Sequence, residues 1–458
     1  MKQLISKEFK YHYRSIIKLG IPIIIGQIGI ILVGIIDNVM VGRFATDDLA
    51  AASFVNSVFN IPIFMGLGFA YGLTPLAGQF FGQSNHSRLG SLLKNSLLLN
   101  FLFGLLLTGV MLLIWCNIDK LGQPSELVPL IKRYYMLHIV SIVFIMLFNG
   151  FKQFSDGVND TKTPMYIMLS ANALNIIFNF ILIYGVDGVV QPLGVVGAGV
   201  ATLISRVYML IAFLIIFFTS PKFKTYRDSF VASRYNLPDS VELGRMGSMV
   251  SLQMGMETSL FSITGVMIGW IGTAELASHQ ILVAISTIGF MFYYGIGAAI
   301  AVKVSNYYGR GEYSNINLTA KAGSNIIMGA ALMVSILLLI VRKDVALLFT
   351  SDQQIIDIVS IMVFTLITYQ FGDALQITYA NSLRGISDVV VMAAISFVGY
   401  FVIAIPVSYI CGFVLNWGLQ GVWIGYPVGL TLTGVAMWYR FNHIIKSKGC
   451  LLSGDLAS

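Results

Sequence analysis

The stretch DNVMVGRFATDDLA at residues 37–50 is matched by TGVMIGWIGTAELA at residues 264–277, an offset of 227. The same offset carries Gly68 to Gly295 and FFGQ at 80–83 to YYGR at 307–310. Further on, LGVVG at 193–197 pairs with WGLQG at 417–421 at an offset of 224, so only a few insertions separate the two copies. The chain is an internal duplication.

Composition says what was duplicated. Of 458 residues, 57% are hydrophobic and 11% charged, with a mean hydropathy of +0.81; a soluble domain carries about 25% charged residues. So apolar a chain cannot cover itself with polar surface in water, which makes it an integral membrane protein. A spanning helix needs about 20 apolar residues, and with short connections the chain holds about twelve, leaving no soluble domain. A cytosolic enzyme, a secreted disulfide scaffold and a nucleic-acid binder are excluded. The formal charge of +7 records topology. Cys116, Cys411 and Cys450 lie far apart without CxxC spacing, and the five histidines have no ligand spacing.

Spans are expected near 15–41, 49–79, 92–116, 131–155, 164–185, 194–219, 244–270, 276–305, 322–341, 358–383, 387–410 and 419–443, with turn-rich breaks such as LGQPSE at 121–126 and RGEYSN at 310–315. The fold class is therefore all-α, with twelve transmembrane helices in two pseudo-symmetric six-helix lobes. Residues 1–219 form the N-lobe, 220–243 a cytoplasmic linker, and 244–458 the C-lobe with a short cytoplasmic tail. Six spans per copy is an even number, so both copies face the same way across the membrane. That is a parallel repeat around a central cavity, suited to alternating access. The basic start (Lys2, Lys7, Lys10, Arg14, Lys18) runs into the apolar stretch 21–36 without a small-x-small cleavage site, so it reads as a retained first helix. Lys and Arg number 21 on the side of the N-terminus and six on the other (Arg43, Lys120, Lys132, Arg133, Arg342, Lys343), with Arg206 inside a span. Both termini are expected in the cytoplasm.

Three acids fall inside spans: Asp37, Glu257 and Asp373. A carboxylate at membrane depth costs about 2.5–3.5 kcal/mol even on the lenient insertion scale, so it is a functional candidate by default. At the 227 offset Asp37 corresponds to Thr264 and Glu257 to Ile30, so the acids break the symmetry of the scaffold and predict two chemically different sites. Tyr369 and Asp373 are i, i+4 on one helical face, as are Gln253 and Glu257. Two carboxylates with a phenol and an amide bind a hard monovalent cation such as Na⁺ when both are ionised, and carry a proton when one is protonated. Neither acid has an evident basic partner. In the first half Asn172, Asn175 and Asn179 form a polar stripe, with Thr202 on the next helix; interhelical hydrogen bonding is the alternative use of such residues. Asp156-Gly157 and Arg384-Gly385, at matching helix ends, are expected to fix loops. His279-Gln280, Asn172, Gln253 and Phe261 are candidates for cavity lining, and most of the 20 Met and 31 Phe for packing or lipid contact. No HExxH, P-loop or GxSxG motif occurs, so neither hydrolysis nor ATP-driven pumping has a residue to carry it.

DNVMVGRF at 37–44, QFSDG at 153–157, LGVVGAGVAT at 193–202, METSLFS at 256–262, QFGDALQ at 370–376 and LRGISD at 383–388 resemble the multidrug and toxic compound extrusion (MATE) family, in its NorM-like bacterial branch, over essentially the whole chain. The resemblance implies a twelve-helix antiporter of the bacterial inner membrane that expels cationic amphiphilic drugs or toxic metabolites in exchange for Na⁺ or H⁺. It implies no cofactor and no enzymatic step, and such a protein is expected to act as a monomer. Carried over by position, Glu257, Asp373 and Tyr369 match the branch's C-lobe cation site, and Asp37, Asn175, Asn179 and Thr202 its N-lobe polar site. Asn179 stands where the DNA-damage-inducible branch has an acid, a departure from that branch's proton switch. Lipid-linked oligosaccharide flippases share the superfamily fold but would call for a basic cavity, and a polytopic membrane enzyme for a convergent catalytic set.

Overall fold

The computed structural model describes residues 7–454, and their side chains except for Glu8 and 449–454; Lys2, Cys450's side chain and the last four residues of the tail lie outside what is described. The described chain is almost wholly helical. Its long helices are α1 (Lys7–Phe44), α2 (Thr46–Gly82), α3 (His86–Cys116), α4 (Val128–Gly157), α5 (Lys162–Tyr184), α6 (Val195–Thr219), α7 (Leu237–Gly269), α8 (Thr273–Gly309), α9 (Tyr313–Ile340), α10 (Gln353–Gly385), α11 (Val389–Val414) and α12 (Gly418–Gly454). Ten are long and apolar enough to cross a membrane by length and composition; α7 and α12, of 33 and 37 residues, complete the twelve-helix membrane fold. Helices run past the expected spans at most ends. The segment 220–243 is itself largely ordered: it holds the short helix Lys224–Ala232, and its last residues already belong to α7.

The duplication is written into the turns. Thr46 and Thr273 start α2 and α8, His86 and Tyr313 start α3 and α9, and Lys162 and Val389 start α5 and α11, each pair separated by the offset of the sequence repeat. The turn after α2 places Ser84 at φ +56°, and that after α8 places Gly311 at φ +73°. In each the backbone N–H one residue on reaches back to close the helix: Asn85 to the Phe80 carbonyl at 2.9 Å, Glu312 to that of Tyr307 at 3.0 Å. This is the left-handed helix-stop geometry that satisfies orphan carbonyls. Asp160 to Ser155 (2.8 Å) and Asp388 to Leu383 (3.0 Å) repeat it after α4 and α10.

Lipid tails are as apolar as side chains, so helices in a membrane associate through close fit rather than water exclusion. The contact of α5 with α6 shows the fit. A Cβ on Gly197 would lie 2.5 Å from the Leu182 carbonyl oxygen, and one on Gly421, its counterpart in the second copy, 2.4 Å from that of Cys411. Each copy thus uses a glycine to bring its last two helices together.

The chain divides into two compact units, Ile25–Ser251 and Met1–Ile24 with Leu252–Ser458. The dividing points fall at equivalent places of the repeat, within α1 and α7, and not at the 220–243 segment. In the first unit Arg88 pairs with Asp239 at 2.7 Å, and Ser240 donates to Asn95 at 3.1 Å, which ties the start of α7 to α3. In the second, His12 and Thr319 share a hydrogen bond of 3.0 Å and Asn325 donates to Tyr13 at 2.9 Å, which ties the start of α1 to α9. Each unit has its own apolar core, around Val55, Ile142 and Met146 in the first and Leu260, Leu366 and Trp423 in the second.

The loops after α4 and α10 are fixed by residues other than those expected. Asp156 points back into its helix and pairs with Lys152 at 2.8 Å, both buried. Asp160 holds the turn instead: its carboxylate accepts from the Thr163 hydroxyl at 2.7 Å and pairs with Lys222 at 2.6 Å. In the other copy Asp388 takes that place, paired with Arg440 at 2.8 Å. Arg384, equivalent to Asp156, also turns inward. Aspartates just past a helix end can reach the next turn, whereas residues in the last helical turn project along the helix surface.

Candidate functional site

Each unit holds a polar cluster. In the first, α1 supplies Asp37, α5 the asparagines and α6 Thr202. Asn179 Nδ2 donates to Asp37 Oδ1 at 2.5 Å and to Asn175 Oδ1 at 3.0 Å, and Asn175 Nδ2 donates to Thr202 Oγ1 at 3.5 Å. The four residues expected to cooperate thus form one chain across three helices. Asn175 and Asn179, i and i+4 on α5, are buried, and Asp37 is half-buried. Asn172 stays out of the chain, its Nδ2 buried without a hydrogen-bond partner beside Gly29. Arg206, one turn beyond Thr202, is the cation within electrostatic reach of Asp37.

In the second unit α7 supplies Gln253, Glu257 and Phe261, and α10 supplies Tyr369 and Asp373. Gln253 Nε2 donates to Glu257 Oε2 at 2.9 Å. Asp373, 2% exposed, lies within electrostatic reach of Glu257, and the Tyr369 hydroxyl within reach of both acids. Phe261 stacks on Tyr426 at 4.9 Å and meets Tyr369 edge-on at 6.4 Å, so it walls the cluster. His279 is buried against Trp423 at 5.7 Å while its neighbour Gln280 is exposed. At the place equivalent to Asp37, Thr264 hydrogen-bonds Tyr426, itself the equivalent of Thr202.

Four participants were not expected. Arg384 Nη2 donates to Gln253 Oε1 at 3.1 Å and its charge reaches Glu257, which corrects the reading of that acid as lacking a basic partner. Tyr400 accepts from Gln376 Nε2 at 2.8 Å, and its hydroxyl lies within electrostatic reach of Glu257. It sits in a π-helical stretch, 398–404, of α11. Such wide turns recur at functional sites because they re-aim a side chain, and nothing in VGYFVIA signals one. Finally, Tyr293 Oη, both amide atoms of Gln370 and Asp373 Oδ2 are buried without a protein partner. Gly289 borders two of them: a Cβ there would lie 3.0 Å from Gln370 Oε1 and 3.3 Å from Tyr293 Oη. Buried polar atoms of this kind are satisfied by water or an ion. The oxygens among them are hard ligands, of the kind that suits a hard cation; among the described residues there is no group of three or more His, Cys, Asp or Glu able to hold a metal.

These features define a duplicated twelve-helix integral membrane protein with non-equivalent carboxylate sites in its two units. The chain belongs to the MatE family, whose model matches residues 22–181 and 250–410, once for each copy of the repeat. It is 27% identical over 444 residues to the multidrug resistance protein NorM of Vibrio cholerae, covering 96% of this chain and 97% of that one. To NorM of Photobacterium profundum it is 28% identical over 447 residues, covering 95% and 96%. Among solved structures, a MOP superfamily transporter from Pyrococcus furiosus superposes with a TM-score of 0.87 at 21% identity, covering 97% and 99% of the two chains; at that identity it speaks for the fold alone.

Proposed function

We propose that this protein is a secondary active multidrug efflux antiporter that exports cationic amphiphilic compounds in exchange for Na⁺ or H⁺ by alternating access. The observation that carries the reading is the chemical difference between the two units: one isolated acid on amide partners in the first, two mutually coupled acids with a phenol in the second. Asp37, extended by Asn179, Asn175 and Thr202, is the site for the organic cation. Glu257, Asp373 and Tyr369 are the site for the coupling ion, with Tyr400, Tyr293 and Gln370 as neutral groups beside it. Two nearby carboxylates titrate as a pair, so Na⁺ and H⁺ compete for one place. The names of the NorM relatives, multidrug resistance proteins, support the substrate class. The cycle would use helices 1–6 and 7–12 as its two lobes, joined through the 220–243 segment, in a monomer of the bacterial inner membrane with both termini cytoplasmic. The test is efflux of a fluorescent lipophilic cation from proteoliposomes under an imposed Na⁺ gradient and then an imposed pH gradient. Efflux driven by either supports antiport; efflux indifferent to both overturns it.

A further inference from the structure

One end of the second unit carries cations that the ion site does not use. There the start of α1 and the end of α8 run antiparallel in close contact. A Cβ on Gly20 would lie 2.8 Å from Ile296 Cδ1 and 3.6 Å from Ala299 Cβ, and one on Gly295 would lie 3.1 Å from the Ile24 nitrogen. Nearer the chain start, the rings of His12 and Tyr307 are 5.7 Å apart. Lys18 and Lys303 fall between these two contacts, two residues from Gly20 and four from Ala299. That register puts their backbones within about 3 Å of each other along the common axis. Lys18 and Arg310 are both within electrostatic reach of Lys303. Arg310, just past α8, lies back with its guanidinium 6.0 Å from the centre of the Tyr307 ring. Lys303 is half-buried, and among the described residues neither it nor Lys18 has a hydrogen bond or an ion pair. The acid beside the group, Glu312, stands 3.9 Å from Arg310. By contrast Arg440 and Lys448 of the same unit are engaged, with Asp388 and with the Tyr308 hydroxyl. At the 227 offset Leu76 and Gln83 replace Lys303 and Arg310, so the group belongs to the second copy alone.

A lysine standing singly at a helix end runs its stem along apolar surface and keeps its charge in water. Three cations gathered at a half-buried place repel one another, and an anion among them turns that repulsion into attraction. Depth says which anion. Lys18 lies three residues inside the start of the expected span 15–41, and Lys303 two inside the end of 276–305. Both therefore stand at the headgroup level of one membrane face, where basic side chains meet phospholipid phosphates. Ile17 and Ile21, 38% and 47% exposed, flank Lys18 on α1 and offer apolar surface to an acyl chain. A free inorganic phosphate has no use for that surface. We propose that Lys18, Lys303 and Arg310 form a binding site for the phosphate of an anionic phospholipid, which bridges α1 and α8 within the second unit.

The experiment is native mass spectrometry of the full-length protein, freed of lipid in a neutral detergent. It is titrated with phosphatidylglycerol and, separately, with phosphatidylcholine of the same acyl chains. The expected result is tighter binding of phosphatidylglycerol. Lys303→Gln and Lys18→Gln each weaken it by about fivefold, the worth of one basic residue beside an anionic headgroup, and leave phosphatidylcholine unchanged. Lys343→Gln, at an exposed lysine beyond the opposite end of α9, changes neither lipid. Equal binding of the two lipids by the wild type overturns the proposal, as does unchanged phosphatidylglycerol binding in both variants. Equal weakening by Lys343→Gln also overturns it, reducing the effect to general surface charge. Inorganic phosphate added at the lipid's concentration is expected not to compete; displacement of phosphatidylglycerol at equal concentration makes free phosphate the ligand and rejects the lipid assignment. If Lys303→Gln does not give a single folded species, Lys18→Gln decides alone, since the Lys18 side chain is exposed.

Discussion

Asp37 and Thr264 hold equivalent places on α1 and α7, and each leads to the equivalent residue on the last helix of its copy. Asp37 does so through Asn179 and Asn175 to Thr202, and Thr264 by a direct hydrogen bond to Tyr426. Duplication kept the place and changed its chemistry: a carboxylate among amides in one copy, a hydroxyl on a phenol in the other. Only the first can hold a positive charge.

Replacing Asp37 by Asn keeps the shape of the contact with Asn179 and removes the charge. The expected result is loss of export with normal folding: drug resistance of expressing cells falls to the empty-vector level while the amount of protein in the membrane is unchanged. Wild-type resistance at equal expression would make Asp37 a structural residue.

Arg384 reaches Glu257 through one amide, so it repels any cation held there. At a separation of about 8 Å and an effective dielectric near 20, two unit charges interact by about 2 kcal/mol. Arg384→Gln should therefore tighten Na⁺ binding by roughly tenfold or more and slow ion-driven efflux, because release becomes harder. Calorimetric titration of Na⁺ checks the sign; weaker binding would show that Arg384 instead props Glu257 in place.

Tyr400→Phe removes the hydroxyl that accepts from Gln376 and lies within electrostatic reach of Glu257. Leaving the buried Gln376 amide short of its acceptor costs about 1–3 kcal/mol. Thermal melting in detergent should fall, and the extra stabilisation that Na⁺ gives the wild type should shrink. An unchanged Na⁺ response would detach the π-helical turn of α11 from the ion site.

The buried pair Lys152–Asp156 lies in the last turns of α4 with both side chains less than a tenth exposed. Removing one partner strands the other charge, a loss of about 3–5 kcal/mol. Lys152→Met should lower the melting temperature clearly, and Lys152→Met with Asp156→Leu should restore most of it. A double variant as unstable as the single one would mean that the charges hold something beyond each other.

The architecture was legible because its two determinants are local in sequence: runs of apolar residues long enough to span, and turn residues such as Ser84 and Gly311 that recur at one period. The polar chain from Asp37 to Thr202 was legible for the same reason, since Asn175 and Asn179 sit four apart on one helical face. What escaped depends on reach and on helix winding. Arg384 is adjacent to the turn Ile386–Asp388, and its place in the chain says loop; only the length of its side chain, which runs back along the helix, brings it to Gln253. Tyr400 is aimed at Glu257 by a wide turn in a run of apolar residues with no helix breaker but Gly399. The division of α1 and α7 between two compact units rests on distant pairs such as Arg88–Asp239 and Asn325–Tyr13, which no local pattern announces.

The central claim is that Glu257 and Asp373 make one ion site and Asp37 a separate substrate site. The measurement that tests it most directly is a mutant cycle read twice, by Na⁺ calorimetry and by binding of a fluorescent lipophilic cation, on Glu257→Gln, Asp373→Asn, their double variant and Asp37→Asn. The account predicts that each single C-terminal variant abolishes Na⁺ binding, that the double is little worse than either, that the dye still binds all three, and that Asp37→Asn shows the reverse. Additive losses from Glu257 and Asp373, or loss of both ligands in every variant, would contradict it.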